Sequence, residues 1–175
     1  VDDNGSEKSF AEQVDEALGG VLPFYTSLKV CDTPQILLDV GCEQLPMLYT
    51  QKHLKNAILP PDEKNHRHGL EIEQIKRLPE LLSHPVMIID SPNRKDSIIV
   101  VTSEVDKSDN PIIASIKPNG EGRYEVENVS SNFITSVYGR NNFSEYFRRI
   151  VQSDNLLFCD KQKSQAMFER WGEQY

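Results

Sequence analysis

Four histidines, one Ser-x-Tyr-x-Arg run and a few lysines are the residues in this 175-residue chain best suited to acid–base or anion chemistry. The histidines are His53, His66, His68 and His84. His66-Arg67-His68 falls in a polar loop leading into a helix. Imidazole titrates near neutrality, so the pair suits general acid–base catalysis. The same two side chains can ligate a metal if His53 or a carboxylate supplies a third ligand, although no HExxH or cysteine-containing pattern accompanies them. A solvated polar loop is the third reading, and all three stand at this point.

Ser136-Val137-Tyr138-Gly139-Arg140 is the second constellation. Alternate residues of a strand share a face, so Ser136 and Tyr138 would point the same way, with Arg140 just beyond. A hydroxyl, a phenol and a guanidinium together make a phosphate site. The plainer alternative has Tyr138 packed and Arg140 solvated. Lys161 and Lys163 follow the last apolar run and read as a solvated turn, and Arg148-Arg149 as the charged face of a helix. There is no Walker loop, GxGxxG or GxSxG, which disfavours nucleotide hydrolysis and serine-hydrolase chemistry.

Three β-branched runs must position these groups: Pro85 to Asp90, Ser97 to Ser103 and Pro111 to Lys117. Short polar breaks separate them, which suits antiparallel neighbours in a meander. The runs are nearly continuously apolar, so helices should cover both faces. Ser6 to Ala17 reads as a helix capped by Ser6 and ended by Gly19-Gly20. Val21 to Thr33 reads as an extended connection, Pro34 to Val40 as a short helix and Met47 to Tyr49 as a short strand. Thr50 caps a helix from Gln51 to Ile58. Gly69 to Leu82 is helical and interrupted by Pro79. Pro118 to Gly122 reads as a turn, followed by one or two strands from Tyr124 to Val137. A helix from Phe143 to Val151, a strand from Asn155 to Cys159 and a helix from Lys163 to Trp171 complete the chain. Ala166, Met167 and Trp171 are the packing residues of that last helix. The fold class is α+β: N-terminal helices on an antiparallel meander of about four to five strands, then C-terminal helices.

Hydrophobic residues make up 38% of the chain and charged residues 26%, ordinary values for a globular protein. No run approaches the ~18 apolar residues of a membrane span. The acidic start, Val1-Asp2-Asp3-Asn4-Gly5, is no signal peptide and lacks an initiator Met, as expected of a piece of a longer polypeptide. Net charge is −8, the wrong sign for broad DNA binding, although a local basic patch can act inside an acidic surface. Three cysteines without a CxxC give neither a disulfide framework nor a thiolate zinc site.

Several of these stretches in order carry a family resemblance. They are Leu45 to Leu54, His68-Gly69-Leu70, Leu78 to Val86, Ser97 to Thr102, Ser136 to Arg140 and Asn155 to Lys161. Together they resemble the MuF-type C-terminal domain found at the ends of phage and prophage polypeptides, grouped with the barnase–EndoU–colicin–RelE nuclease fold. The likeness spans about Leu28 to Lys163. It implies that residues 1–27 are an arm or linker from the parent polypeptide and that residues 28–175 form the domain.

The resemblance also implies a metal-independent ribonuclease toxin with no cofactor. It would act on RNA in the cytoplasm of a target bacterium and be packaged in or delivered by a phage particle. An immunity protein is a partner such a toxin would have, and no membrane is implied. His68 matches the motif histidine and would be base or acid. Ser136 and Tyr138 match the Ser-x-Tyr motif and would bind phosphate, or stack a base in the case of Tyr138. Arg140 and Lys161 stand at basic positions and would stabilise charge, and Lys52 and His53 lie in the matching helix as further substrate contacts. Fold-level likeness is not function. A phage head-associated interaction domain without activity is the competing reading, and an enzyme of another class using the same pocket is the third.

Overall fold

The computed structural model describes residues 8–124 and 127–170. A seven-stranded sheet runs through it in the order β1-β2-β6-β5-β4-β3-β7. The strands are β1 (Leu28–Asp32), β2 (Pro46–Tyr49), β3 (Met87–Asp90), β4 (Ile98–Val105), β5 (Pro111–Tyr124), β6 (Glu127–Gly139) and β7 (Leu156–Cys159). The predicted meander is its centre: β3, β4, β5 and β6 pair antiparallel in succession.

The expected four to five strands fall short because short strands add at both margins. β1 lies within the segment read as an extended connection and pairs antiparallel with β2. β7 closes the other edge against β3. The sheet is also mixed, since β2 runs parallel to β6. All the chain from Thr50 to the end of β5 lies between those two strands, the long crossover that a parallel pair requires.

The continuous apolar runs are explained by burial on both faces. Along β4, Ile98 and Val100 enter one core while Ile99 and Val101 enter the other. Helices α1 (Phe10–Leu18), α2 (Gln35–Asp39), α3 (Gln51–Ile58), α4 (Ile72–Lys76) and α5 (Leu78–Ser83) supply Phe10, Val14, Leu37, Leu54, Ile75 and Leu78 to the first core. Helices α6 (Phe143–Gln152) and α7 (Lys161–Arg170) supply Tyr146, Phe147, Ile150 and Phe168 to the second. The N- and C-terminal helices therefore sit on opposite faces. Among the described residues, no helix is long and apolar enough to cross a membrane.

Local signals account for some element ends and not for others. Thr50 caps α3 by accepting the His53 N–H at 3.0 Å. The Gly69 to Leu82 helix breaks into α4 and α5 at Arg77, with Pro79 in the first turn of α5, where a missing N–H costs nothing. Ser9, not Ser6, caps α1 through a reciprocal capping box with Glu12; Ser6 lies outside the described residues. Pro118 to Gly122 is not a turn. It lies within β5, where the ladder shifts between Lys117 and Gly120, and Asn119 at φ 57° absorbs the turn-forming chemistry. Ala166 is exposed, whereas Met167 is buried; Val126 and Trp171 lie outside the described residues.

Asn132 on β6 ties the sheet to its surroundings. It is fully buried, and its side-chain amide donates to Thr33 Oγ1 at 2.7 Å and to the Glu43 carbonyl at 2.9 Å. Its carbonyl oxygen accepts the Asn119 N–H at 3.2 Å. Asn132→Ala leaves those partners unsatisfied, so a loss of about 2–3 kcal/mol in chemical denaturation is expected.

Candidate functional site

Pairing between β2 and β6 covers only Met47–Tyr49 against Asn132–Ile134. Past Ile134, no strand of the described sheet pairs on that side of β6. A cleft of about 950 Å³ opens beside this free half. Its floor includes Ile99, Ser115 and Ser136, which lie side by side across β4, β5 and β6.

Helix α3 forms one wall. Its first turn carries Lys52 and no acidic residue, although a helix N-terminus favours negative charge. A cation there adds to the helix's own pull on an anion. His53 stacks on Tyr49, with ring centroids 6.4 Å apart and an interplanar angle of 21°. The Tyr49 hydroxyl donates to the His53 carbonyl at 3.1 Å. His53 Nδ1 is buried and has no partner among the described residues. Burial first, then the charge of Lys52, lowers the His53 pKa from its ordinary 6.5.

The loop after α3 carries the His66-Arg67-His68 cluster. Its tip is a 3-10 turn, Glu63–Asn65, closed by two backbone bonds of 3.0 Å between Asp62 and Arg67. The next three residues fasten it to the end of α3. His68 N–H donates to Asn56 at 2.9 Å, Gly69 N–H to Leu59 at 2.7 Å and Leu70 N–H to Ala57 at 2.8 Å. Gly69 has φ +66°, and a Cβ there would meet Pro61 Cδ at 2.6 Å. Leu70 is buried in the first core. His-Gly-Leu is thus a side chain for the cleft, a backbone shape and an anchor.

The loop reaches round the free edge of β6, and the His68 ring meets the Tyr138 ring at 5.2 Å. His68 is half-buried. Burial, reinforced by the charge of His66, lowers its pKa from 6.5. Arg140 follows two residues beyond Tyr138. Its guanidinium lies 4.1 Å from the centroid of the buried Tyr146 ring, and its Nε is buried without a partner among the described residues. Gly139 allows this close packing, because a Cβ there would collide with the Asp106 carboxylate.

Six of the seven residues singled out from sequence line this one cleft: Lys52, His53, His68, Ser136, Tyr138 and Arg140. Lys161 does not. It is exposed at the start of α7, after β7, four strand spacings or roughly 19 Å from β6 across the sheet. Sequence reasoning passed over Lys64, Arg67 and Arg94, which also line the cleft. Arg67 stood between two noticed histidines, but Arg94 sits in the β3–β4 turn and only the fold brings it here. The lining therefore holds five cations and no Asp or Glu. Among the described residues no three His, Cys, Asp or Glu side chains converge to hold a metal, so the metal reading of His66 and His68 has no third protein ligand.

Two outcomes are expected. In a proton NMR titration, His53 and His68 should titrate below 6.5, because burial and neighbouring positive charge both favour the neutral ring. Gly69→Ala should displace His68 from Tyr138 and cost about 1–3 kcal/mol in thermal or chemical unfolding, from strain and the Pro61 clash.

Comparison with curated proteins and with solved structures returned no match. The family model of the phage MuF C-terminal domain matches residues 61–166. That span takes in the His68 loop and the Ser136 to Arg140 run, while Lys52 and His53 precede it. With more than half its length matched, the chain belongs to the phage MuF C-terminal domain family.

Proposed function

We propose that this phage-related domain is a metal-independent endoribonuclease of the barnase–EndoU–colicin–RelE type, acting as a toxin on RNA in a target bacterium. The observation that carries the reading is the charge of the cleft. A chain of net charge −8 gathers Lys52, Lys64, Arg67, Arg94 and Arg140 around three histidines and admits no carboxylate to the lining. Such a surface suits a polyanion, and RNA carries its own nucleophile in the 2′-hydroxyl.

In this reading neutral His68 takes the proton of the 2′-OH. The 2′-oxygen bonds to the adjacent phosphorus and the bond to the 5′-oxygen breaks. The products are a 2′,3′-cyclic phosphate and a 5′-hydroxyl. Tyr138, whose ring lies against His68, protonates the leaving oxygen or stacks a base. The loop cations Lys64 and Arg67 stabilise the charge gathered on the reacting phosphate, while Arg140 binds the strand beside it. Ser136 donates a hydrogen bond to a phosphate oxygen. The parent phage polypeptide, and an immunity protein where one exists, are the protein partners of this reading.

The test is cleavage of bulk RNA and tRNA in EDTA, wild type beside His68→Ala. The wild type should cut in the presence of chelator and leave cyclic phosphate ends. His68→Ala should lose at least ~10²-fold in rate without loss of thermal stability. Because the His68 pKa is lowered, the rate should hold as pH falls through 6.5 and decline only below it, as the base becomes protonated. A clean wild type that cuts nothing leaves the interaction-domain reading standing in its place.

A further inference from the structure

Ser136, Tyr138 and Arg140 occupy alternate positions along β6 and its first following residue, and all three line the cleft. Alternate residues of a strand share a face and stand ~7 Å apart. That repeat is on the scale of one nucleotide step in an extended single strand. No strand pairs with β6 on that side past Ile134, and the cleft of about 950 Å³ opens over the three side chains, so a polymer has room to lie along them.

Of the three positions, Tyr138 is the one in contact with His68. Arg140 is set apart from that contact by one strand repeat and is fixed from three sides. Its N–H donates to the Pro111 carbonyl at 2.9 Å, the preceding Gly139 lies against Asp106, and its guanidinium rests on Tyr146. Its Nε is unpartnered among the described residues, and no carboxylate lines the cleft to pair with it. A planar fork held in this way is organised for a phosphate.

We infer that the free half of β6 is a rail for single-stranded RNA. Successive phosphates meet Ser136, Tyr138 and Arg140, and Arg140 holds the phosphate next to the one beside His68. The inference rests on the ribonuclease reading for the identity of the strand, but it does not require that the strand be cut. It makes Arg140 a binding residue for a flanking phosphate, distinct from the reacting centre. The corresponding substrate is at least four unpaired nucleotides long; a mononucleotide or a duplex would not fill the rail.

The experiment measures binding of non-cleavable 2′-O-methyl oligouridylates of two, three and four nucleotides, which carry one, two and three phosphodiesters. Wild-type affinity should rise with each added phosphate. Arg140→Ala should lose the gain of one phosphate, and on the longest oligonucleotide the slope of log K against log salt should fall by about 0.7. Arg140→Gln keeps a planar group over Tyr146 and should show the same loss if the alanine variant unfolds. Wild-type affinity that does not grow with length overturns the rail, as does an equal loss at all three lengths in a folded variant. Length-dependent binding without RNA cleavage sinks the ribonuclease reading and leaves the rail intact. Cleavage without length-dependent binding does the reverse, and failure both to bind any oligonucleotide and to cut RNA removes both.

Discussion

The site depends on β6 losing its neighbour halfway along. β2 stops at Tyr49, and Thr50 turns the chain at once into α3. Had β2 continued, its backbone would occupy the space that Lys52, His53 and the His68 loop now share. The turn leaves a sheet edge facing a helix N-terminus, with a loop from that helix folding back over it. Buried side chains hold this arrangement. Tyr49 fixes the turn from below, Leu54 and Ala57 press α3 to the first core, and Leu70 anchors the returning loop. An open edge is usually a liability for pairing with other chains. Here a cation-rich cleft covers it.

Charge and protonation are coupled in that cleft. The chain carries a net charge of −8, yet the cleft lining holds five cations and no Asp or Glu. Inside it, burial and cationic neighbours hold His53 and His68 toward their neutral forms. In the proposed reaction that neutrality is what lets His68 act as a base near neutral pH. The net charge of the sequence predicts none of this, because it averages a basic site with an acidic exterior.

The parts legible in the sequence were those with local causes. Val, Ile and Thr runs named the central strands, Thr50 named its cap, and Pro79 marked the break between α4 and α5. His68-Gly69-Leu70 and Ser136 to Arg140 were legible as motifs, and both reach the cleft. What escaped depended on distant partners. β1 pairs with β2, and the alternation of Leu28, Lys29 and Val30 is too short to declare a strand by itself. Asn119 looked like a turn residue and is one backbone step of a bulge. Arg94 lay unremarked in a polar break and Lys161 at a basic position of the resemblance, yet the order of strands places the first in the cleft and the second at the far margin.

The manner in which the His68 loop is fastened bears on how such a domain diversifies. The bonds that close its tip run between main-chain atoms of Asp62 and Arg67, and those that hold its base run from main-chain atoms of His68, Gly69 and Leu70. Lys64 and His66 project from that frame, both exposed. Substitution at those two positions therefore leaves the scaffold's hydrogen bonding untouched while altering what the opening of the cleft meets first. Change at Lys64 costs the fold little, whereas His66, at φ 57°, favours residues that tolerate a left-handed backbone, and His68 is held in register throughout.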